Sequence, residues 1–509
     1  MLLADLVATS AAVAGTRSRL AKVAALADLL AALAPGEIRP AVGFLIGDPS
    51  QGRVGIGWAT LRDLDAGRAP DPTLTVADID ALIDGVRAAT GSGSAAARRR
   101  ILTDAFARAT EAEADFLRRL LLGELRQGAL AGIMTDAIAR AAHVPIAIVR
   151  RAAMLSGDLR VTAELALTEG ENALAAVRLE PLRPILPMLA STSDDVAGAL
   201  AATGPASVEW KLDGARIQVH RAGDEVRIYT RNLNDVTDRL PDIVAAVRTF
   251  PAHTLVLDGE AIGLADDERP QRFQDTMSTF GTQAEVDAAG IPLSAFFFDC
   301  LRVDDTDLLE RPLSERLDVL ARVAGVRVIP SVRTDDPGVA AVVLDDALAA
   351  GHEGVMVKAL SSPYEASRRG GAWRKVKPVR TLDLVVLAVE WGSGRRQGWL
   401  SNLHLGARDP GGAFGPEGGL VMVGKTFKGL TDALLTWQTE RFLELEVSRD
   451  GHVVHVRPEQ VVEIALDGVQ ASRRYAGGVA LRFARVRGYR PDKSPADADT
   501  IDAVRALLP

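Results

Sequence analysis

The stretch EWKLDGAR, residues 209–216, contains the side chain with the clearest capacity for covalent chemistry, Lys211. Only eight of the 59 cationic residues are lysine, and the rest are arginine. A chain this tilted uses arginine wherever any positive charge will serve. Lys211 therefore marks a place that needs an amine able to lose its proton. A neutral lysine is a nucleophile, whereas arginine stays protonated. Lys211, Lys358, Lys375, Lys377 and Lys493 stand beside glycine, tryptophan, proline or acidic residues rather than on a repetitive polar helix face. As a set they suit the handling of phosphate. Lys22 and Lys428 read as solvated charges.

Carboxylates follow the same logic. The run LVLDGEAIG ends on Asp258-Gly259-Glu260, and GHEGVMVK places Glu353 just before another apolar run. Carboxylates at strand edges suit Mg²⁺, which takes oxygen ligands and usually meets the protein through one or two carboxylates plus substrate phosphates. Either alone reads equally as a solvated turn. FFFDC (296–300) predicts a buried strand whose Phe298 is either core or a platform for a planar base.

Positioning such groups takes several domains, and 509 residues provide for two to four. The 48% apolar and 25% charged content is that of an ordinary globular protein. One cysteine, Cys300, excludes a disulfide framework and a four-cysteine zinc site. It points to a reducing, cytoplasmic setting. The N-terminus lacks a basic flank and carries Asp5, a poor signal peptide, and no apolar run is long enough to span a bilayer. The net charge of -8 is not spread evenly: residues 1–185 and 381–509 are each balanced, while 186–380 hold 22 basic against 30 acidic residues. An acidic centre suits a divalent metal, and neutral flanks can still carry basic faces.

The fold class expected is multidomain α+β. Residues 1–185 read as helical, with apolar residues three and four apart and glycine-serine loops at 47–58 and 91–100. Residues 186–380 mix helices with short alternating strands such as RIQVH, EVRIYT and TLVLDGEAIGL. Residues 381–509 offer five strand candidates with one helix between the third and fourth, the count of an OB-type barrel.

Taken together these residues resemble the covalent nucleotidyltransferases, and within them the ATP-dependent DNA ligases of bacterial three-domain type. Lys211, Asp213 and Gly214 match the signature K-x-D-G. In family order follow RN (231–232), DGE (258–260), FFFD (296–299), EGVMVK (353–358), WRKVK (373–377) and RFARVRGYRPDK (482–493). RLLLGELRQGAL (119–130) is similar to the family's helical DNA-binding domain. The resemblance implies a DNA-binding domain over 1–185, an adenylation domain over 186–380 and an OB domain over 381–509.

The resemblance also implies roles. Lys211 takes AMP from ATP, helped by Lys375, Lys377 and Mg²⁺ (or Mn²⁺), which push its amine toward the neutral form. Glu260 and Glu353 hold the metal, and Phe298 stacks on adenine. Glu209 and the Trp210 backbone meet the adenine or ribose side. Arg216 and Arg231 meet the ribose or later the nick phosphate, and Arg369 meets the nucleotide. Arg482, Arg487, Asp492 and Lys493 meet the leaving phosphates, and which arginine of 482–490 does so stays open. Ser92, Arg98, Arg126 and Gly128 contact DNA, although as bare sequence these loops read as a linker and a helix end. The implied partner is nicked double-stranded DNA, bound by a monomer in a prokaryotic, nucleoid-associated setting. An RNA ligase or capping-type nucleotidyltransferase shares K-x-D-G, but some 180 helical residues ahead of the lysine favour the DNA enzyme. An NAD-dependent ligase is disfavoured, since one cysteine cannot build its zinc module. An inert DNA clamp is disfavoured by the intact Lys211, Glu260, Glu353, Lys375 and Lys377.

Overall fold

The computed structural model describes residues 1–52, 54–62, 64, 67–125, 131–264, 293–365 and 369–508. The chain divides into two compact units, Met1–Val376 and Lys377–Pro509.

The first unit opens with eleven helices between Leu3 and Ala176 among the described residues. Their ends are written locally. Thr110 opens the helix Glu111–Leu122 with a capping box in which the buried Glu113 carboxylate answers the Thr110 N–H. Gly123 closes it in the left-handed conformation at φ 69°. Apolar faces three and four residues apart then pack around Leu6, Leu26, Phe44, Ile83, Phe106 and Ile138.

Two sheets complete this unit. The first contains β1 (Leu189–Ser193), β2 (Ala206–Trp210), β8 (Ser331–Thr334), β9 (Val355–Ala359) and β10 (Arg369–Val376), in the order β1-β10-β9-β2-β8. The second contains β3 (Ala215–Ala222), β4 (Glu225–Thr230), β5 (Thr254–Gly263), β6 (Leu293–Val303) and β7 (Thr306–Asp307), in the order β4-β3-β5-β6-β7. Strand alternation sorts each sheet into two faces. Val208, Val355, Val357 and Val376 turn to the helices Val196–Thr203 and Pro337–Ala349. Ile217, Val219, Leu257 and Phe297 turn to the helices Pro241–Arg248 and Leu313–Ala324. The remaining faces share a third layer with Met188, Leu212, Val256, Ile262, Phe298, Tyr364 and Trp373. Met154 and Leu155, from the helix Ile146–Ser156, belong to that same layer. The helical region is therefore built into the floor of the site.

The second unit is a curled antiparallel sheet of β11 (Arg380–Trp391), β12 (Leu400–Asp409), β13 (Gly419–Thr426), β14 (Glu446–Asp450), β15 (Val453–Val456), β16 (Val461–Leu466) and β19 (Arg485–Tyr489), with a hairpin of β17 (Gly468–Ala471) and β18 (Val479–Arg482). The helix Asp432–Glu444 lies between β13 and β14, where the sequence placed it. Of these strands, β14, β17, β18 and β19 go beyond the five that alternation shows. They are short or largely polar, and pairing rather than periodicity defines them.

One polar cluster is pinned to this sheet. Glu390 accepts from Lys425 Nζ at 2.5 Å, His404 Nε2 at 2.8 Å and Asn402 Nδ2 at 2.6 Å. Burial pushes its carboxyl up, but these bonds outweigh that and hold it down at about 2. A depressed carboxylate adds stability above its ordinary pKa, near 4.3, and loses it as pH falls through 2. Glu390→Gln is expected to destabilise this unit by about 1–2 kcal/mol at pH 7. Calorimetric unfolding at pH 7 and pH 3 should show that deficit shrinking in acid.

Candidate active site

K-x-D-G and E-G-V are drawn together by backbone bonds. Lys211 N–H donates to the Gly354 carbonyl at 2.8 Å, and Glu353 N–H donates to the Lys211 carbonyl at 3.1 Å. This clamp brings the Lys211 ammonium into an ion pair with Glu353 across 142 residues of sequence. Gly214 lets the chain turn from β2 into β3. A Cβ there would sit 2.3 Å from the Ala261 carbonyl oxygen and 2.4 Å from Ile262 Cγ2, so only glycine fits. Gly259 is bound likewise, 2.6 Å from the Phe296 carbonyl oxygen. The glycines of KLDG and DGE thus permit the close strand approach that brings Glu260 beside Lys211.

Register sets the rest. Glu209, Met356 and Lys375 are lateral partners across β2, β9 and β10, as are Ser207, Lys358 and Trp373. In the other sheet, Arg216 faces Glu260 across β3 and β5. The site lies where these two faces meet.

Its electrostatics differ from the sequence expectation at the nucleophile. Burial pushes the Lys211 amine down, but Glu353, Glu260 and Asp213 outweigh it and hold the pKa above the ordinary value. The surroundings of Lys211 are acidic, so the protein alone keeps its amine protonated. Glu260 is raised to about 7, first by burial, with Lys211 and Arg216 opposing and Asp258 and Glu353 adding to it. Burial outweighs those two cations, and Glu260 with Glu353 would offer two hard oxygen donors to a divalent cation. Among the described residues no three His, Cys, Asp or Glu side chains form a ready cage.

Lys358, read from sequence with the phosphate-handling lysines, is buried in the structure. It is 1% exposed and paired with Glu209 at 2.5 Å, while Ser207 Oγ donates to the other Glu209 oxygen at 3.0 Å. Its ammonium lies 4.1 Å from the Phe298 ring centroid and 4.3 Å from that of Trp373. Burial raises the Glu209 carboxyl against the pull of Lys358. Phe298 is itself buried, edge-on to Trp373 at 6.0 Å. Trp210 packs on His352 at 5.1 Å, and its N–H is engaged by the Pro330 carbonyl rather than left for a nucleotide.

Arg216 is similarly engaged. Its Nε and NH2 groups donate to Asp258 at 3.0 and 2.6 Å, and its NH1 donates to the Met188 carbonyl at 2.7 Å. Arg231 is exposed just beyond β4. Arg369 opens β10, with its side chain outside the described residues. Lys375 is half-buried on the same face as Glu209. Lys377 belongs to the second unit, 4.0 Å from Asp467.

In that unit RFARVRGYRPDK is not one element. Arg482 ends β18, Phe483 turns the chain at φ 53°, and Arg487 projects from β19 as an exposed residue. Asp492 bonds Arg490 at 2.9 and 2.7 Å, and Lys493 bonds Asp383 at 2.5 Å. Among the DNA calls, Ser92 is exposed in its loop. Arg98 lies in the helix Ser94–Arg108, its Nε bonded to the Ala89 carbonyl at 3.0 Å. The arginines of the second loop are therefore helical, since alanine and arginine extend the helix into the run. Arg126 and Gly128 fall outside the described residues.

Models of three families match the chain: the ATP dependent DNA ligase domain over 187–377, the ATP dependent DNA ligase C terminal region over 396–493, and the DNA ligase N terminus over 64–139. A probable DNA ligase of Pseudarthrobacter chlorophenolicus is 59% identical over 508 residues, covering 100% of both chains. The chain belongs to the ATP-dependent DNA ligases. A probable DNA ligase of Rhodococcus opacus is 57% identical, again over 100% of both chains. The solved structure described as Pmar-Lig_PreS3 shares the fold, with a TM-score of 0.65 at 19% identity, covering 95% of this chain and 99% of that one. The ligase fold is thus present throughout, with a helical N-terminal region, a central adenylation domain and a C-terminal OB-type sheet. Among the described residues no helix is long and apolar enough to cross a membrane.

Sequence reading missed Tyr364, Met188 and the structural use of Lys358. Tyr364 is one of four tyrosines and stands alone in SSPYEAS, with no spacing signal around it.

Proposed function

We propose that this ligase seals nicks in duplex DNA by way of a lysyl-AMP at Lys211 and a 5′-adenylated DNA strand. The observation that carries this reading is the clamp that fixes Lys211 beside Glu353 and Glu260 at the meeting of two sheets. ATP is the nucleotide. Lys211 Nζ forms a bond to the α-phosphorus while the bond to pyrophosphate breaks. The AMP then passes to the 5′-phosphate, and the 3′-hydroxyl displaces it.

Mg²⁺ (or Mn²⁺) held by Glu260 and Glu353 would supply positive charge, both on the phosphate and against the carboxylates that keep Lys211 protonated. Glu209, seated on Lys358, meets the adenine or ribose side, and Phe298 forms the wall of the base pocket. Lys375 and Lys377 serve the transferring phosphoryl group, and Arg369, at the start of the same strand as Lys375, meets the nucleotide. Arg482, Arg487, Asp492 and Lys493 serve the leaving phosphates.

The division at 185 and 380 gives one DNA-gripping, one adenylating and one OB domain, acting as a monomer. Ser92, Arg98, Arg126 and Gly128 grip phosphates without reading sequence. The test is incubation with labelled ATP, NAD or GTP, each followed by addition of nicked DNA. Labelling by ATP alone, chased into sealed duplex, is the expected result. Labelling by GTP, or sealing of RNA only, would instead favour a capping enzyme or RNA ligase.

A further inference from the structure

Behind the nucleophile lies a closed ring of hydrogen bonds that the reaction as described does not use. Tyr364 is 2% exposed, and its hydroxyl donates to Asp258 Oδ2 at 2.7 Å. The Tyr364 hydroxyl oxygen in turn accepts from Met188 N–H at 3.0 Å and from Arg216 NH2 at 3.4 Å. Arg216 closes the ring through its two bonds to Asp258 and its bond to the Met188 carbonyl. Burial and Asp258 push the phenol well above its ordinary pKa, so it stays a donor. Four of the five Arg216 N–H groups are thereby fixed, leaving one.

Met188 belongs to the segment that leads out of the helical region. Two residues earlier, Leu186 N–H bonds the Met154 carbonyl at 3.0 Å, at the end of the helix Ile146–Ser156. Ile185 exchanges two bonds with Gln218 on β3, at 2.8 and 3.2 Å. Arg216, Arg231, Thr230 and Pro187 line one crevice beside this segment. The Asp258 carboxylate that holds Arg216 lines it too, and the exposed Arg231 stands at the same place.

We infer that Tyr364 is a positioning residue for the DNA-dependent steps: it locks Arg216, through Asp258 and Met188, to the segment joining the helical region to the site. This rests on the proposed nick sealing and on the contact of Arg216 with the nick phosphate that the family resemblance implies. A guanidinium aimed by four fixed bonds presents its fifth donor in one direction. Without the phenol oxygen, Met188 N–H loses its acceptor and the Asp258 carboxylate loses a donor, so the fork can swing.

The test uses the full chain with Tyr364→Phe, which keeps the ring and its packing against Trp373. Single-turnover rates are read for enzyme adenylation and for transfer of AMP to the nick, alone and combined with Arg216→Lys. Y364F is expected to slow transfer about 10- to 100-fold more than it slows enzyme adenylation. In the R216K background it should add almost nothing, because both changes disturb one guanidinium. Equal slowing of both steps would mark a structural residue and overturn the inference, as would full additivity with R216K or an unchanged transfer rate. R216K transferring AMP at the wild-type rate would refute the role of Arg216 itself, a separate failure.

Discussion

Lys211→Arg is expected to abolish transfer of AMP to the protein, while the chain stays folded. Arginine can keep an ion pair with Glu353, which in the native chain holds the Lys211 ammonium. What it cannot do is deprotonate, so no nucleophile forms. The loss is of the whole step and should exceed 10³-fold, beyond the usual effect of removing one electrostatic group. Intact-mass analysis after incubation with ATP and Mg²⁺ reads it directly, and an equal AMP adduct on the variant would refute the assignment. Because Glu353, Glu260 and Asp213 hold the native amine protonated, adenylation should also speed up as pH rises through the alkaline range. A rate that falls with pH there would mean that loss of the Lys211 proton does not limit the step.

Lys493→Ala and Asp492→Ala are expected to separate the first chemical step from the later ones. The β- and γ-phosphates leave when Lys211 is adenylated, so contacts to them matter only in that step. Enzyme adenylation should fall about 10²–10³-fold, while joining of DNA supplied with a preformed 5′-adenylate stays near the wild-type rate. The structure adds a needed control. Lys493 and Arg490 both bond Asp383, and Asp492 bonds Arg490, so these residues also tie the end of the sheet together. Asp383→Asn loosens the same tie without removing a cation. If D383N matched K493A in both steps, the cluster would be structural and the phosphate role would fail.

How far the site could be read from sequence depended on the range of the causes. KLDG and DGE were legible because their glycines answer a local demand: a Cβ at Gly214 or Gly259 would collide with a neighbouring carbonyl. Lys211, Glu260 and Glu353 stood out by residue type beside such turns, and the structure brings all three together. Lys358 and Phe298 were harder. A lysine in a strand and a phenylalanine beside an aspartate have no visible depth in sequence. Whether the lysine meets solvent or a buried glutamate depends on which strand lies beside it. Register supplied that answer, by setting Lys358 opposite Ser207 and Trp373.

Residue type, short spacing and periodicity carried the class of chemistry, the family and most of the element order, the short strands β14, β17, β18 and β19 excepted. Helices between Leu3 and Ala176, the strands around 215–263 and the helix at 432–444 all follow from apolar spacing along one segment. Tertiary structure alone decided the charge state of Lys211, the burial of Lys358, the tie between Lys493 and Asp383, and the ring joining Tyr364, Asp258, Arg216 and Met188. Each of these turns on a partner distant in the chain, 176 residues away for Tyr364 and Met188. A proton's affinity and a side chain's burial are set by whatever lies within a few ångströms in space, and spacing along the chain does not encode that.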